Sequence, residues 1–185
     1  MKTAVVTGIT GQDGAYLADH LLKDGYKVIG VSRPVSNPST ENLDRLGVTD
    51  LVSIETLDLT DKGSIERVVS RHKPEKFFNL AAQSFVSASF NCPAVTSEIN
   101  SMGVVRILET LRNFSPQTKF YQASTSEMFG KVQAVPQNES TPFYPRSPYG
   151  ISKLFSHWMT INYRESYELY AVSGILFNHE SPLRG

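Results

Sequence analysis

The stretch "AVVTGITGQDGAY", residues Ala4 to Tyr16, joins a short apolar run to three glycines and the start of a helical pattern. The glycines Gly8, Gly11 and Gly14 lie three residues apart. In such a turn the first glycine permits a tight bend, the second lets backbone approach a pyrophosphate, and the third lets the helix pack closely on the strand. The helix N-terminus adds free N–H groups and partial positive charge. The stretch predicts a dinucleotide-binding turn; the alternative is a plain strand–helix turn.

Strand-like and helix-like segments alternate along the rest of the chain. Predicted strands cover residues 3–7, 27–31, 51–57, 76–80, 119–124 and 171–177. Predicted helices cover residues 15–22, 61–69 with Asp61 as N-cap, 94–113 and 149–167, while 33–40 and 132–148 are predicted to be irregular. This alternation is typical of βαβ units with right-handed crossovers. We therefore expect one α/β domain over residues 1–185, a doubly wound parallel sheet of the Rossmann type.

Composition excludes several classes of function. The 185 residues include 18 basic and 18 acidic side chains, so no net charge draws the chain to nucleic acid or to an anionic membrane. No apolar run approaches the ~20 residues that a membrane helix needs. The single cysteine, Cys92, cannot form an intrachain disulfide, and no signal-peptide pattern is present. The four histidines show no metal-ligand spacing. We expect a cytoplasmic protein that uses no metal.

Residues at the ends of the second, third and fourth predicted strands indicate which dinucleotide is bound. An NAD site usually has a carboxylate at the end of the second strand, where this chain has Val31-Ser32-Arg33. Arg33 can pair with a 2′-phosphate, which favours NADP; the alternative is an exposed loop arginine. Asp58 could accept a hydrogen bond from the adenine amino group or cap a turn. Leu80-Ala81-Ala82 could line the cofactor or pack in the core.

The segment "PYGISK" contains the strongest chemical signal. Tyr149 and Lys153 are four residues apart and share one helix face. A tyrosine is a poor base at neutral pH because its pKa lies near ~10. A neighbouring ammonium stabilises the phenolate and lowers that pKa. The pair therefore predicts a base that removes a hydroxyl proton while hydride leaves the same carbon.

A second segment, "QASTSEMFG", follows the predicted fifth strand. Thr125 could bond to the hydroxyl that is oxidised, and Glu127 could remove a proton from carbon. Ligands bind at the carboxyl ends of strands in open α/β sheets. A simple dehydrogenase or epimerase needs no such carbon base, whereas a reaction that abstracts a proton next to a new ketone does. The alternative is a turn with a solvated glutamate.

Together, "TGITGQDGAYLA", "NLAAQSFV", "YQASTSEMFG", "PFYPRSPYGISK", "NYRESY" and "GILFNHESP" closely resemble segments of the GDP-mannose 4,6-dehydratases, which are extended short-chain dehydrogenases/reductases. The resemblance runs from about Lys2 to Gly185. It implies a tightly held NADP, conversion of GDP-mannose to GDP-4-keto-6-deoxymannose without net redox change, and a homo-oligomer. Members of the family are longer, and their C-terminal substrate part is expected to be missing here. A chain that ended at Gly185 would then bind cofactor with little or no turnover.

The resemblance also implies roles for individual residues. The catalytic residues would be Thr125, Glu127, Tyr149 and Lys153. Cofactor contacts would come from Gly8, Ile9, Thr10, Gly11, Gln12, Asp13, Arg33, Asp58, Leu59, Leu80, Ala81, Ala82, Gln83, Ser84, Lys153, His179 and Arg184. Substrate contacts would come from Ser84, Thr125, Ser126, Glu127, Tyr149 and Asn178. The alternatives are another nucleotide-sugar dehydratase, epimerase or reductase, and a non-catalytic NADP-binding module.

Overall fold

A computed structural model describes residues 2–34 and 38–184 of the chain. Its six strands are β1 (Thr3–Thr7), β2 (Lys27–Ser32), β3 (Ser53–Thr56), β4 (Lys76–Asn79), β5 (Lys119–Thr125) and β6 (Ala171–Leu176). They form one sheet in the order β3-β2-β1-β4-β5-β6, and every neighbouring pair is parallel. The doubly wound parallel sheet expected from the sequence is confirmed. The loop predicted over 33–40 lies partly outside the described residues.

Seven α-helices in the described residues connect or cover the strands. They are α1 (Gln12–Lys23), α2 (Glu41–Arg45), α3 (Lys62–His72), α4 (Val86–Asn91), α5 (Pro93–Ser97), α6 (Gly103–Phe114) and α7 (Pro148–Tyr167). Asp61 caps α3 as predicted, because its side chain accepts a hydrogen bond from the Gly63 backbone N–H at 2.9 Å. The predicted helix over 94–113 is interrupted by a π-helical turn at Glu98–Met102. The short helices α2 and α4 were not predicted, since five or six residues give little periodic signal.

Both faces of the sheet are buried, which explains its apolar strands. Val5 of β1 packs in a cluster with side chains of α3, α6 and α7. Ala4 and Val6 point the other way and pack with α1 and α2. Successive side chains of a strand point to opposite faces, so a strand covered by helices on both sides reads as continuously apolar. The carboxyl-terminal edge of the sheet, left between these layers, is where ligands bind in such folds.

No helix within the described part of the chain is both long and apolar enough to span a bilayer.

Candidate functional site

The glycine-rich turn between β1 and α1 has the geometry that its sequence predicts. Gly8 has a φ of +69°, a conformation that disfavours any side chain with a Cβ. Its carbonyl accepts a hydrogen bond from the Gly11 N–H at 3.0 Å, which closes the turn. A Cβ on Gly14 would lie 2.2 Å from the Gly8 oxygen, so only glycine fits where α1 starts. The turn therefore leaves bare backbone at the N-terminus of a helix.

A first cavity opens above this turn, and we call it the nucleotide cavity. It is lined by these residues of the predicted cofactor site: Gly8, Thr10, Gly11, Arg33, Asp58, Leu59, Leu80, Ala81, Ala82, Gln83 and Ser84. Ile9, also predicted, is fully buried in the core below the turn and lines neither cavity. Its apolar side chain packs with Ala4 and Val6, so only its backbone belongs to the turn.

Arg33 and Asp58, both predicted to contact the cofactor, line the nucleotide cavity in different surroundings. Arg33 is exposed at the cavity rim, directly after β2, where a guanidinium can reach a ligand phosphate. The Asp58 carboxylate accepts hydrogen bonds from the Thr60 N–H and hydroxyl, both at 2.8 Å. Asp58 therefore caps a turn, one of the two roles left open by the sequence. It also lines the cavity beside Arg33.

The backbone of residues 80–84 is fixed by side chains that the sequence analysis did not single out. The Thr7 hydroxyl accepts hydrogen bonds from the N–H groups of Leu80 and Ala81, both at 3.0 Å. Asn100, in the π-helical turn, accepts from the Gln83 N–H at 2.8 Å and donates to its carbonyl at 3.0 Å. The sequence signals such contacts only weakly: Thr7 and Asn100 are polar residues inside segments predicted to be a buried strand and a buried helix, where a polar side chain needs a hydrogen-bond partner.

A second cavity adjoins the first, and we call it the catalytic cavity. It is lined by these predicted site residues: Gly8, Gly11, Gln12, Asp13, Leu80, Ala82, Ser84, Thr125, Tyr149, Lys153, Asn178, His179 and Arg184. Asn42, Ser124 and Phe177 also line it and were not predicted. Because Gly8, Gly11 and Ser84 line both cavities, the two form one continuous cleft along the carboxyl edge of the sheet.

The start of α7 places Tyr149 beside the turn that follows β5. Ser147 caps α7, accepting a hydrogen bond from the Gly150 N–H at 3.0 Å. A Cβ on Gly150 would lie 2.8 Å from the Glu127 carbonyl, so the helix packs directly against that turn. Thr125 accepts a hydrogen bond from the Glu127 N–H at 3.2 Å, which holds the turn together. Glu127 itself is exposed and Ser126 is half-buried, and both lie next to the catalytic cavity rather than in its lining.

Lys153 is buried in the same face of α7, one turn beyond Tyr149. Its side chain is 3% exposed, and its Nζ donates a hydrogen bond to the Ala123 carbonyl at 2.5 Å. Burial lowers the pKa of Lys153 to about 8, so the group is mostly an ammonium at neutral pH. A positive charge therefore lies within the catalytic cavity.

The pKa of Tyr149 is raised, mainly by burial and further by the negative charge of Glu127, while Thr125 opposes the shift. The sequence analysis expects Lys153 to lower this pKa, but burial outweighs any such effect here. Phenolate formation at Tyr149 consequently needs further positive charge close to the hydroxyl.

The segment after β6 folds back over the glycine-rich turn. His179 contacts Asp13 through Nε2 and Oδ1 at 2.7 Å, and the Ser181 hydroxyl donates to the Gln12 side chain at 2.8 Å. The pKa of His179 is raised, first by its hydrogen bond to Asp13. Arg184 donates to the His179 carbonyl at 2.7 Å. Both His179 and Arg184 thus lie at the rim of the catalytic cavity, on the side of the phosphate turn.

Among residues 2–34 and 38–184, no group of three or more His, Cys, Asp and Glu side chains is arranged to hold a metal ion.

Comparison with known proteins places this architecture in a family. A 49% identical protein of Yersinia enterocolitica, described as GDP-mannose 4,6-dehydratase, matches 100% of this chain. The chain spans 52% of that relative, about half its length. Among solved structures, a Thermotoga maritima UDP-glucose 4-epimerase is 32% identical with a TM-score of 0.79, over 90% of this chain and 52% of the other. A Thermus thermophilus UDP-glucose 4-epimerase, in complex with NAD, is 31% identical with a TM-score of 0.79, over 92% and 53%.

The family model described as GDP-mannose 4,6 dehydratase matches residues 5–185, which is nearly the whole chain. The chain therefore belongs to the GDP-mannose 4,6-dehydratase family.

Proposed function

We propose that this chain carries the cofactor site and the catalytic groups of a nucleotide-sugar 4,6-dehydratase that acts on GDP-mannose with NADP. One observation carries the proposal: Thr125, Tyr149 and Lys153 line a cavity continuous with the glycine-lined cleft, and Glu127 lies beside Tyr149. The relatives reported above, each about twice as long as this chain, are described by name as enzymes of GDP-mannose or UDP-glucose. The hydro-lyase class and a homo-oligomeric state stay predictions that rest on the family resemblance, and a cytoplasmic location stays a prediction that rests on composition.

The residues present fit a dinucleotide. A Cβ on Gly8 would lie 3.0 Å from the Ala81 nitrogen, and a Cβ on Gly14 would meet the Gly8 oxygen, so the bare turn leaves a cradle for phosphate oxygens. Arg33 would hold the 2′-phosphate, and residues 80–84, which line the same cavity, would lie against the dinucleotide. When bound, NADP supplies a hydride acceptor at C4 of the sugar and a hydride donor at C6.

Tyr149 is the group proposed to deprotonate the C4 hydroxyl. Thr125 lines the same cavity and can hydrogen-bond to that hydroxyl, which orients it toward the tyrosine oxygen. Because burial raises the pKa of Tyr149, the Lys153 ammonium and the nicotinamide cation of bound NADP would together supply the positive charge that favours phenolate over phenol. Thr125, Tyr149 and Lys153 are buried. The exclusion of water strengthens both the Thr125 hydrogen bond and the attraction between the Lys153 ammonium and the phenolate.

Glu127 is the group proposed to act at C5. A ketone at C4 acidifies the C5–H bond, and the carboxylate takes that proton. Hydroxide then leaves C6 and takes the proton from the Glu127 carboxyl, which gives water, a 4-keto-5,6-ene and the regenerated carboxylate. Reduction at C6 and return of a proton to C5 complete the product, so each bond broken is matched by one formed. Glu127 is exposed, as a group that exchanges protons with solvent must be.

Glu127→Gln is expected to block this step while leaving the C4 oxidation intact. Gln has nearly the same shape but cannot accept the C5 proton, so turnover should fall by about 10²–10⁴-fold. The measurement is uptake of solvent deuterium at C5 of GDP-mannose, with enzyme and substrate at comparable concentrations. The enzyme is this chain joined to the C-terminal half of the Yersinia enterocolitica relative, because the chain spans only 52% of that relative. All turnover assays that follow use this joined chain. Glu139→Gln, on an exposed loop, is the matched control. Continued deuterium uptake in Glu127→Gln would assign the role to another group, and a 4-epimerase would need no such base at all.

Arg33→Ala is expected to remove the preference for NADP over NAD. A charge-assisted hydrogen bond to phosphate contributes about 1.5–3 kcal/mol, so NADP affinity should fall by about 10–100-fold while NAD affinity changes little. Titration calorimetry of each dinucleotide measures both constants. Arg71→Ala, which removes an exposed arginine paired with Glu55 on another part of the surface, should change neither. Equal losses for NADP and NAD would refute the assigned contact.

A further inference from the structure

A chain of buried side-chain hydrogen bonds runs across three neighbouring strands beneath both cavities. The Thr7 hydroxyl of β1 donates to the Asn79 Oδ1 of β4 at 2.7 Å. The Asn79 Nδ2 donates to the Gln122 Oε1 of β5 at 2.8 Å. The Gln122 Nε2 donates to the Ala123 carbonyl at 2.9 Å. None of Thr7, Asn79 and Gln122 is more than 1% exposed.

The direction of the donors is the same at every link. The chain of hydrogen bonds starts at the N–H groups of Leu80 and Ala81, which donate to Thr7, and ends at the Ala123 carbonyl. Hydrogen bonds that follow one another in this way polarise each other and become stronger than isolated ones. The orientation of each amide is also fixed, because reversing either would set like groups against each other.

The two ends of this chain lie in the two cavities. Leu80 and Ala81 line the nucleotide cavity. The Ala123 carbonyl accepts the Lys153 Nζ in addition to the Gln122 Nε2, which uses both of its lone pairs. Ala123 and Lys153 both line the catalytic cavity. The side chain of Gln122 therefore holds the same carbonyl that accepts the Lys153 ammonium.

We propose that Gln122 is a positioning residue for Lys153, and that it fixes this ammonium in register with the backbone segment that lines the nucleotide cavity. Without the Gln122 donor, the Ala123 carbonyl keeps its place in β5 but loses one of the two side-chain donors that restrain it. The ammonium bound to that carbonyl then loses its fixed position. The placement of Lys153 follows from the hydrogen bonds alone, and only its catalytic consequence rests on the proposed function.

The test compares two substitutions of Gln122 with a matched one at Thr118, the residue just before β5 begins. Gln122→Met keeps the length of the side chain and removes both polar groups. Gln122→Asn keeps the amide but is one methylene shorter, so it cannot bridge Asn79 and Ala123 together. Thr118→Val is the control, because Thr118 is equally buried and its hydroxyl bonds to the Pro74 carbonyl, away from both cavities.

The primary readout is the exchange of the Lys153 ammonium protons with water. It is followed by nitrogen-15 NMR near pH 6, and the signal is assigned by its absence in Lys153→Met. We expect a protected signal in the parent and in Thr118→Val. Both Gln122 variants should show exchange faster by about tenfold or more, as expected when a buried bond opens locally. Backbone amide signals of β2 and β3 report whether each variant is folded.

A second readout compares the effects of the Gln122 substitutions on kcat and on KM for GDP-mannose. The Gln122 variants should lower kcat by about tenfold or more with little change in KM, because misplacement of a reacting group acts on the chemical step. Folded Gln122 variants with parental ammonium exchange would overturn the proposal; if Gln122→Met does not fold, Gln122→Asn decides it. A parent that shows no turnover while its Lys153 exchange responds to Gln122 would refute the proposed function and leave this inference standing.

Discussion

Tyr149→Phe is expected to abolish dehydration while NADP still binds. Phe removes only the hydroxyl oxygen, so the buried ring keeps its place at the start of α7. Loss of a general base costs about 10²–10⁴-fold in rate, and we expect kcat to fall by that factor. Dinucleotide affinity should stay within about twofold, because the contacts to phosphate are on the glycine-rich turn. Initial rates with GDP-mannose and calorimetry with NADP measure the two quantities.

The pH dependence of the same variant makes the test more specific. Because the pKa of Tyr149 is raised and its phenolate is the active form, the parental rate should increase with pH through the neutral range. That increase should disappear from whatever rate Tyr149→Phe retains. Tyr144→Phe is the control, since its ring is exposed on the preceding loop. Near-parental activity in Tyr149→Phe would remove Tyr149 as the base.

Lys153→Met is expected to make the fold more stable and the enzyme inactive. The pKa of Lys153 is about 8 in the folded chain, below the value of 10.5 that an exposed lysine has. Between these two values the unfolded chain binds more protons than the folded one, so the free energy of unfolding rises with pH across this window. Below about pH 8 the folded state bears the full cost of the buried charge, on the order of 3 kcal/mol.

A methionine of similar length removes that cost but also the hydrogen bond to Ala123. We therefore expect the free energy of unfolding at pH 7 to rise by about 1–3 kcal/mol in Lys153→Met, and the gain to shrink toward pH 10.5. Urea denaturation at both pH values measures this. Lys27→Met, an exposed lysine at the start of β2, should change stability by less than about 0.5 kcal/mol. A less stable Lys153→Met at pH 7 would show that the ammonium stabilises the fold.

The order and type of the main elements could be predicted because local signals agree with the fold. The Gly8-to-Gly14 turn, the apolar strands and the Asp61 cap each correspond to a physical requirement of one segment. The π-helical turn at Glu98–Met102 could not be predicted. It allows Asn100 to reach Gln83, a contact between residues 17 positions apart that no periodicity reveals.

In the candidate site, too, the residues at recognisable spacings could be predicted and those brought together only by the fold could not. Tyr149, Lys153, Thr125 and Glu127 carry chemistry at recognisable spacings, and the structure brings them to one cleft. Gln122 has no such signal. Its partner Asn79 is 43 positions away and meets it only through the pairing of β4 with β5, and Lys153 on α7, 31 positions away, shares with it only the Ala123 carbonyl. The raised pKa of Tyr149 was also beyond prediction, since it depends on how deeply α7 packs against the turn after β5.

The most direct test of the account uses GDP-mannose labelled with deuterium at C4. The chain, joined to the C-terminal half of the Yersinia enterocolitica relative, is incubated with this substrate and unlabelled NADP at comparable concentrations. The sugar is followed by NMR and mass spectrometry. The account predicts GDP-4-keto-6-deoxymannose with the deuterium at C6 and a solvent-derived hydrogen at C5. Unchanged GDP-mannose beside a joined chain that has bound NADP, or a product whose C6 carries no label, would contradict the proposed function.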